Sequence, residues 1–340
     1  MYQEFYNLSA YPFRLSPDPA FMCMTAQHRE ALSALIYSAC TQPGLTVLVG
    51  EAGTGKTTIL YSLLGLLEKR RFVTAMCTNP TLTREEFYDF LMVQFGVNCQ
   101  STLKSRQLAA LEETLLRNQA DERPSLLIVD EAQRLSAELL EEIRLLLNLE
   151  TPREKLLEIV ISGQPELVNL LGRPELRQLK QRVSCICRLK ALSLEELQEY
   201  LHHRLTLAGL PSQTLFDEET VELIYDYTQG IPRLVNSLCN GALQTGFAMQ
   251  SRNITVSIVE EAARDLELSR PAPETVAMSS VVGMAAGAEG AEVAAPPRLA
   301  AVPKASRTTN GRSEARVPLE SYATRQSSLG LFASLVDRWK

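Results

Sequence analysis

A glycine-rich segment at residues 50–57 has the composition of a phosphate-binding loop. It reads Gly-Glu-Ala-Gly-Thr-Gly-Lys-Thr and fits the pattern GxxxxGK[ST]. Glycine lets the chain turn tightly, so that successive N–H groups point inward around phosphate oxygens, and the following helix adds its dipole. A flexible glycine turn is the alternative, but the apolar run before the segment and the helical pattern after it favour a phosphate loop. The predicted cofactor-binding residues are Gly50, Glu51, Ala52, Gly53, Thr54, Gly55, Lys56, Thr57 and Thr58.

Two carboxylates farther along the chain complete the chemistry that such a loop needs. In the loop, Lys56 would contact the β and γ phosphates of ATP, and Thr57 would bind Mg²⁺ through its hydroxyl. The apolar run Leu126–Val129 ends in Asp130 and Glu131, and open α/β sheets bind ligands at the carboxyl ends of their strands. We therefore predict that Asp130 holds the Mg²⁺ shell through water and that Glu131 polarises the water that attacks the γ-phosphate.

A third apolar run, Leu157–Ile161, is also followed by polar residues, Ser-Gly-Gln-Pro at 162–165. A side chain there would lie beside the carboxylate-bearing strand, where it could orient the attacking water or sense the γ-phosphate. Gln164 is our first choice for this role and Ser162 the second. A polar turn that starts a helix before Pro165 is the alternative.

Arginines in two segments are candidates for stabilising phosphate charge. The stretch 173–182 is basic and helical, and Arg182 or Arg177 could reach a nucleotide held by a neighbouring subunit, although a solvated helix face would look the same. Arg233 lies in the first turn of a predicted helix, where the helix dipole disfavours a cation unless an anion compensates. We predict that Arg233 contacts phosphate rather than being an ordinary surface arginine.

The elements that position these residues follow from hydrophobic periodicity. The predicted strands are Leu45–Val49, Phe72–Cys77, Leu126–Val129, Leu157–Ile161 and Val183–Leu189. The first three are followed by amphipathic stretches at Lys56–Leu67, Arg84–Phe95 and Ala137–Leu147. This alternation predicts an α/β fold, a parallel sheet with helices on both faces. Four helices are then predicted, at Leu194–Leu207, Glu218–Tyr227, Pro232–Phe247 and Ile258–Leu266, the first opened by a capping box of Ser193 and Glu196.

Composition divides the chain into three parts. Residues 1–190 form the predicted α/β domain, in which 1–40 hold an N-terminal segment and the first helix, and residues 191–268 form a small helical lid. Residues 269–340 are rich in Ala, Pro and Ser, with few large apolar side chains, and are predicted to be disordered. A short docking helix and a frayed apolar end are both compatible with residues 331–339.

Charge and composition exclude some classes of function for this protein. Of the 340 residues 45% are hydrophobic, and 34 Lys and Arg against 40 Asp and Glu give a net charge of -6. This balance argues against a surface that tracks nucleic acid throughout, although it leaves a local basic patch open. The seven scattered cysteines lack zinc-site spacing and indicate a reducing compartment. With no signal peptide pattern and no transmembrane segment, the protein is expected to be cytoplasmic.

The motifs GEAGTGKTT, LLIVDEAQ, ISGQPEL, RQLKQRV and GIPRLVN, in this order, resemble those of AAA+ ATPases of the ExeA/GspA type. Residues 5–19 also resemble the N-terminal signature of that family, so the resemblance covers about residues 1–268. It implies a P-loop NTPase sheet of the ASCE class, a helical lid, nucleotide at their junction, and the roles given above to the site residues. It also implies that the segment around Pro12–Phe13 packs near the adenine.

One departure from the family pattern bears on function. Secretion ATPases of this type typically carry a transmembrane helix and a periplasmic peptidoglycan-binding module after the lid, and neither occurs in this sequence. The chain therefore looks more like the relatives found with exopolysaccharide or exosortase systems, or like transposition ATPases of the TniB type.

The resulting hypothesis is a homo-oligomeric, Mg²⁺-dependent ATPase that assembles a protein partner complex in envelope secretion or polysaccharide export. The alternative is a nucleotide-switched adaptor for DNA transposition. A kinase with the same loop is disfavoured because Glu131 occupies the place of a water-activating base.

Overall fold

The computed structural model describes residues 2–16, 21–210 and 215–270. Residues 271–340 of the predicted disordered tail, with the segment 331–339, lie outside the described residues.

Five parallel strands form one sheet in the order β2-β3-β4-β1-β5. They are β1 Leu45–Gly50, β2 Val73–Cys77, β3 Ser125–Val129, β4 Glu158–Gly163 and β5 Val183–Leu189. Every residue of β1, β3 and β4 is buried, as expected for central strands of a parallel sheet covered on both faces. All five predicted strands are confirmed. Because β4 pairs with both β1 and β3, the carboxyl ends of these three strands meet at one edge of the sheet.

The helices extend from the N-terminus to the end of the described chain. They are α1 Tyr2–Phe5, α2 Ala26–Thr41, α3 Lys56–Glu68, α4 Arg84–Gln94, α5 Lys104–Ala120, α6 Ala137–Leu146, α7 Glu166–Leu171, α8 Arg177–Lys180, α9 Leu194–Leu207, α10 Glu218–Thr228, α11 Pro232–Ala248 and α12 Val256–Asp265. The four lid helices correspond to α9–α12, and the predicted capping box of Ser193 and Glu196 is present.

Alternate residues of the central strands pack into two separate hydrophobic cores, one on each face of the sheet. Leu127 and Val129 of β3 pack with α4, α5 and α6 on one face, whereas Leu126 and Ile128 pack with α2 and α3 on the other. The prediction of helices on both faces is therefore confirmed. It did not include α5, which is anchored by an ion pair of 2.6 Å between Lys104 Nζ and Glu142 Oε2 of α6.

The helical domain, α9–α12, has its own core, and the start of the chain packs into it. Tyr2, Tyr6 and Phe13 are buried among residues of these helices, and Tyr2 OH donates to Asn240 Oδ1 of α11 at 2.8 Å. For residues 2–13 this packing differs from the prediction that residues 1–40 belong to the α/β domain, whereas α2 packs against the sheet. Aromatic side chains in this segment find a large apolar surface only on the lid helices, because both faces of the sheet are already covered.

Candidate active site

A cavity of about 370 Å³ opens at the carboxyl edge of the sheet. Its size is within the range of small-molecule sites. Its lining includes residues 52–58, from the phosphate loop and the helix that follows it, together with His28 and Glu131. The rest of the lining comes from residues 14–16 and 21–23 and from the helical domain, which contributes Leu192, Tyr200, Arg204, Pro232, Arg233 and Asn236.

The phosphate loop is shaped by glycines at positions that other residues tolerate poorly. Gly53 and Gly55 have φ values of +84° and +96°, in the left-handed region. A Cβ at Gly53 would lie 2.7 Å from Cβ of Arg233, whose backbone N donates to the Gly53 carbonyl oxygen at 3.2 Å. The first turn of α11 therefore packs directly on the loop, and this brings Arg233 to the cavity. A contact between Arg233 and phosphate stays a prediction.

Lys56 occupies the loop as a buried ammonium. Its Nζ donates to the carbonyl oxygens of Gly50 at 2.8 Å and Glu51 at 3.0 Å. Burial lowers the pKa of Lys56, and the nearby carboxylates of Glu131 and Asp130 oppose that shift. The ammonium is thus held among oxygens at the position where phosphate oxygens would replace the carbonyls.

Thr57 and Asp130 meet at the start of α3. Thr57 Oγ1 donates to Asp130 Oδ2 at 2.7 Å, and Asp130 Oδ1 accepts from the backbone N of Glu131 at 3.0 Å. A hydroxyl and a carboxylate side by side are the hard oxygen ligands that suit Mg²⁺, which usually keeps several of its waters. These two side chains therefore fit the predicted metal site.

Glu131 lines the cavity, and its carboxylate is held by a residue that we did not predict. Gln133 Nε2 donates to Glu131 Oε2 at 2.6 Å, and Gln133 Oε1 accepts from the backbone N of Gln164 at 3.2 Å. Gln164 thus enters the site region through its main chain, and its side chain is not among the cavity-lining residues. Ser162 is fully buried in β4 with no hydrogen-bond partner for its Oγ in the described part of the chain.

The arginines of the basic stretch lie outside the cavity of their own subunit. Arg182 is exposed, and its Nη2 donates to Asn148 Oδ1 at 3.2 Å. Arg177, in α8, is exposed as well. A role for either arginine at a neighbouring subunit's nucleotide stays a prediction.

His28 supports the phosphate loop from α2, and it is not among the predicted site residues. Its Nε2 lies 3.2 Å from the Thr54 carbonyl oxygen and its Nδ1 lies 2.7 Å from Thr25 Oγ1. Burial lowers the pKa of His28. Because a carbonyl oxygen can only accept, Nε2 is the nitrogen that donates to it, and in the neutral ring Nδ1 accepts from the hydroxyl. Thr25, three residues before His28, was the sequence signal available for this contact.

The helical end of the cavity contains a polar cluster that sequence reasoning also missed. Nη1 of Arg204 donates to Asn236 Oδ1 at 3.0 Å and to the Tyr200 hydroxyl, which itself donates to Asn236 Oδ1 at 2.9 Å. The Arg204 guanidinium also lies 5.5 Å from the centre of the Phe21 ring. The spacing of Tyr200 and Arg204, four residues apart on α9, was the available signal.

The segment before α2 contributes to the cavity through the residues that follow Phe13. Phe13 packs edge-on against Phe216 in the helical core, with ring centres 6.1 Å apart, and it does not line the cavity. The residues that follow it, 14–16, do line the cavity. Burial of a large apolar ring in the helical core explains why Phe13 turns away.

Comparisons with known proteins identify the family of this chain. Residues 40–171 match the family model described as an AAA domain. General secretion pathway protein A of Aeromonas hydrophila is 38% identical over 267 residues, which are 78% of this chain and 48% of that protein. The chain belongs to the AAA+ ATPases of the ExeA/GspA type. It spans about half the length of this curated relative.

Solved structures show the same fold as this ExeA/GspA-type chain. The Drosophila ORC structure bound to DNA matches with a TM-score of 0.61 and 19% identity, covering 79% of this chain and 66% of that one. Cdc6p from Pyrobaculum aerophilum matches with a TM-score of 0.57 and 18% identity, covering 77% and 70%. The P-loop NTPase fold of the AAA+ class is therefore confirmed. Over the part of the chain that the structure describes, no helix has the length and apolar character needed to cross a bilayer.

Proposed function

We propose that the protein is a Mg²⁺-dependent ATPase that drives or regulates the assembly of a partner complex in envelope secretion or polysaccharide export. The observation that carries this proposal is that Lys56, Thr57 and Glu131 line one cavity and that Thr57 Oγ1 donates to Asp130 Oδ2 at 2.7 Å. The similarity to general secretion pathway protein A supports the choice of process.

Each of the site's side chains has a separate role in phosphoryl transfer to water. Lys56 would exchange its carbonyl partners for β and γ phosphate oxygens, and Arg233 would donate to phosphate from the lid side. Thr57 and Asp130 would hold Mg²⁺, which when bound neutralises phosphate charge. Glu131 would accept a proton from the attacking water.

The central test replaces Glu131 by Gln, which keeps the shape of the side chain and removes its ability to accept a proton. We expect turnover of ATP with Mg²⁺ to fall by at least about 100-fold, the usual contribution of a general base. Affinity for ATP, measured by calorimetry, should stay within a few-fold. The matched control is Glu112→Gln, at an exposed position on α5, which should leave both quantities unchanged. Normal turnover by the Glu131→Gln protein would contradict the proposed role.

We further propose that the active form is a homo-oligomer in which Arg182 acts on a neighbouring subunit's nucleotide. Arg182 is exposed and does not line the cavity of its own chain, which supports this arrangement. Activity per subunit should rise with protein concentration, and Arg182→Ala should bind ATP without that rise. Mixing Arg182→Ala with Glu131→Gln subunits should restore part of the hydrolysis. If activity per subunit does not change with protein concentration, and Arg182→Ala behaves like the parent, the oligomer proposal is wrong. A monomeric switch would then be the better explanation.

The same assay separates the secretion proposal from the DNA-adaptor alternative. Duplex DNA should leave ATP turnover unchanged if the partner is a protein, as the net charge of -6 favours. Stimulation by DNA that weakens steeply with salt would indicate phosphate contacts and favour the adaptor.

A further inference from the structure

Gln133 makes two hydrogen bonds with the two halves of one side-chain amide. Its Nε2 donates to Glu131 Oε2 at 2.6 Å, and its Oε1 accepts from the backbone N of Gln164 at 3.2 Å. A side-chain amide offers a donor and an acceptor at a fixed separation. Gln133 therefore connects the carboxylate after β3 to the main chain after β4.

The backbone around Gln133 holds this side chain in place. Glu131 has a φ of 53°, a left-handed conformation that non-glycine residues adopt rarely and that clusters at functional sites. Its backbone N donates to Asp130 Oδ1, and its carbonyl oxygen accepts from the backbone N of Arg134 at 2.9 Å, within the 3₁₀ turn Ala132–Arg134. The turn brings Gln133 back toward the carboxylate two residues before it.

The end of β4 leaves room for the amide. A Cβ at Gly163 would lie 2.6 Å from Gln133 Oε1 and 2.9 Å from Cδ2 of Leu167, so a side chain at this position would displace Gln133. β4 lies between β3 and β1, and β1 is the strand that leads into the phosphate loop. The Gln133 amide therefore joins the ends of β3 and β4 at the edge of the sheet next to β1. Gln133 is thus the contact through which the end of β4 touches the Glu131 side chain.

We propose that Gln133 is the positioning residue for Glu131. Its amide holds Oε2 of the carboxylate, which leaves Oε1 to accept from the attacking water, and it ties the orientation of the carboxylate to the position of Gln164. The inference rests on the proposed hydrolytic role of Glu131 and adds the residue that aims it. A shift of the chain after β4 would be transmitted to Glu131 through this one amide.

The first test is Gln133→Met, which keeps the length of the side chain and removes both hydrogen-bonding groups. We expect kcat for ATP to fall about 10- to 100-fold, the size of effect that a misplacement of about 1 Å produces. ADP affinity and the unfolding temperature should stay close to those of the parent, because Gln133 does not line the cavity. Arg134→Gln, at an exposed position on the same turn, is the matched control and should retain parental kcat.

A double-mutant cycle separates positioning from a general effect on the turn. In Glu131→Asp the carboxylate is one methylene shorter and no longer reaches the amide, so adding Gln133→Met should lower kcat by less than about twofold more. If Gln133→Met is poorly folded, Gln133→Glu takes its place, since it keeps the shape but sets a second carboxylate against Glu131.

The outcomes are distinguishable. Equal fold-losses from the Gln133 variant in the parental and Glu131→Asp backgrounds, or a parental kcat in Gln133→Met, would overturn the positioning role. A proportional loss of ADP affinity would overturn it as well. Turnover by Glu131→Gln at the parental rate would instead overturn the proposed function, and this inference with it.

Discussion

The α/β domain and the helical domain each bury a charged side chain, and the two are accommodated in opposite ways. Glu158 of β4 is 0% exposed, and its carboxylate accepts from the backbone N of Gly44 at 2.7 Å, from Thr46 Oγ1 at 3.3 Å and from the Ser38 hydroxyl. Arg204 of α9 is 6% exposed, and it is partnered by the neutral acceptors Asn236 and Tyr200 and by aromatic rings.

The two groups differ in whether they can lose their charge. Burial raises the pKa of Glu158 to about 7 against the lowering effect of its hydrogen bonds, so this carboxyl can become neutral by taking up a proton. A guanidinium keeps its charge, so Arg204 must be stabilised by its surroundings at every pH. Glu158 therefore makes stability depend on pH. Arg204 instead ties separate chain segments together, since Phe21 precedes α2 and Asn236 lies on α11.

The largest expected effect is the pH dependence due to Glu158. Between its ordinary value of 4.5 and about 7 the folded protein keeps a proton that the unfolded chain releases. The free energy of unfolding should therefore fall as pH rises through this interval, by roughly 3 kcal/mol from this group. Urea unfolding of the parent and of Glu158→Gln between pH 4.5 and 8 measures the difference in slope.

Glu122→Gln, at an exposed position after α5, is the control and should keep the parental slope. A Glu158→Gln protein with the same pH dependence as the parent would show that the carboxyl does not change protonation on folding, and the contrast with Arg204 would disappear.

The next effect concerns Arg204. Replacing it by Met fills similar volume but removes two hydrogen bonds and the ring contact, and we expect a loss of about 2 kcal/mol in the free energy of unfolding. The loss should be the same at pH 5 and pH 8, unlike that of Glu158→Gln. Arg264→Met, on the exposed face of α12, serves as the control and should cost little. A strongly pH-dependent loss in Arg204→Met would contradict the comparison.

The smallest effect comes from Tyr200→Phe, which removes one hydroxyl from the Arg204 cluster. Arg204 and Asn236 keep their direct bond of 3.0 Å, so only the two bonds through the hydroxyl are lost. We expect a decrease of about 1 kcal/mol in the free energy of unfolding, measured by urea titration. A decrease as large as that of Arg204→Met would mean that the hydroxyl, not the guanidinium, holds the cluster together.

Local patterns predicted the elements well where burial and periodicity coincide. The strands of the sheet consist of apolar runs that become buried, so β1 and β3 were found within one residue at each end. Helix α5 was missed because its buried face consists of Gln107, Leu111, Thr114 and Leu115, half of them polar. A helix whose inner face is partly polar gives a weak periodic signal.

The sequence by itself determined the phosphate end of the candidate site. Glycine spacing, a lysine and a threonine within eight residues, and a carboxylate pair after an apolar strand are local features, because backbone geometry and strand alternation fix them. The tertiary structure alone decided the rest. It placed His28 under the loop, Arg204 at the far end of the cavity, residues 2–13 on the helical domain and the Gln133 amide between two strand ends. These contacts join segments far apart in the chain or depend on the path of one turn, and their partners are chosen by packing space and hydrogen-bond satisfaction, which no short pattern encodes.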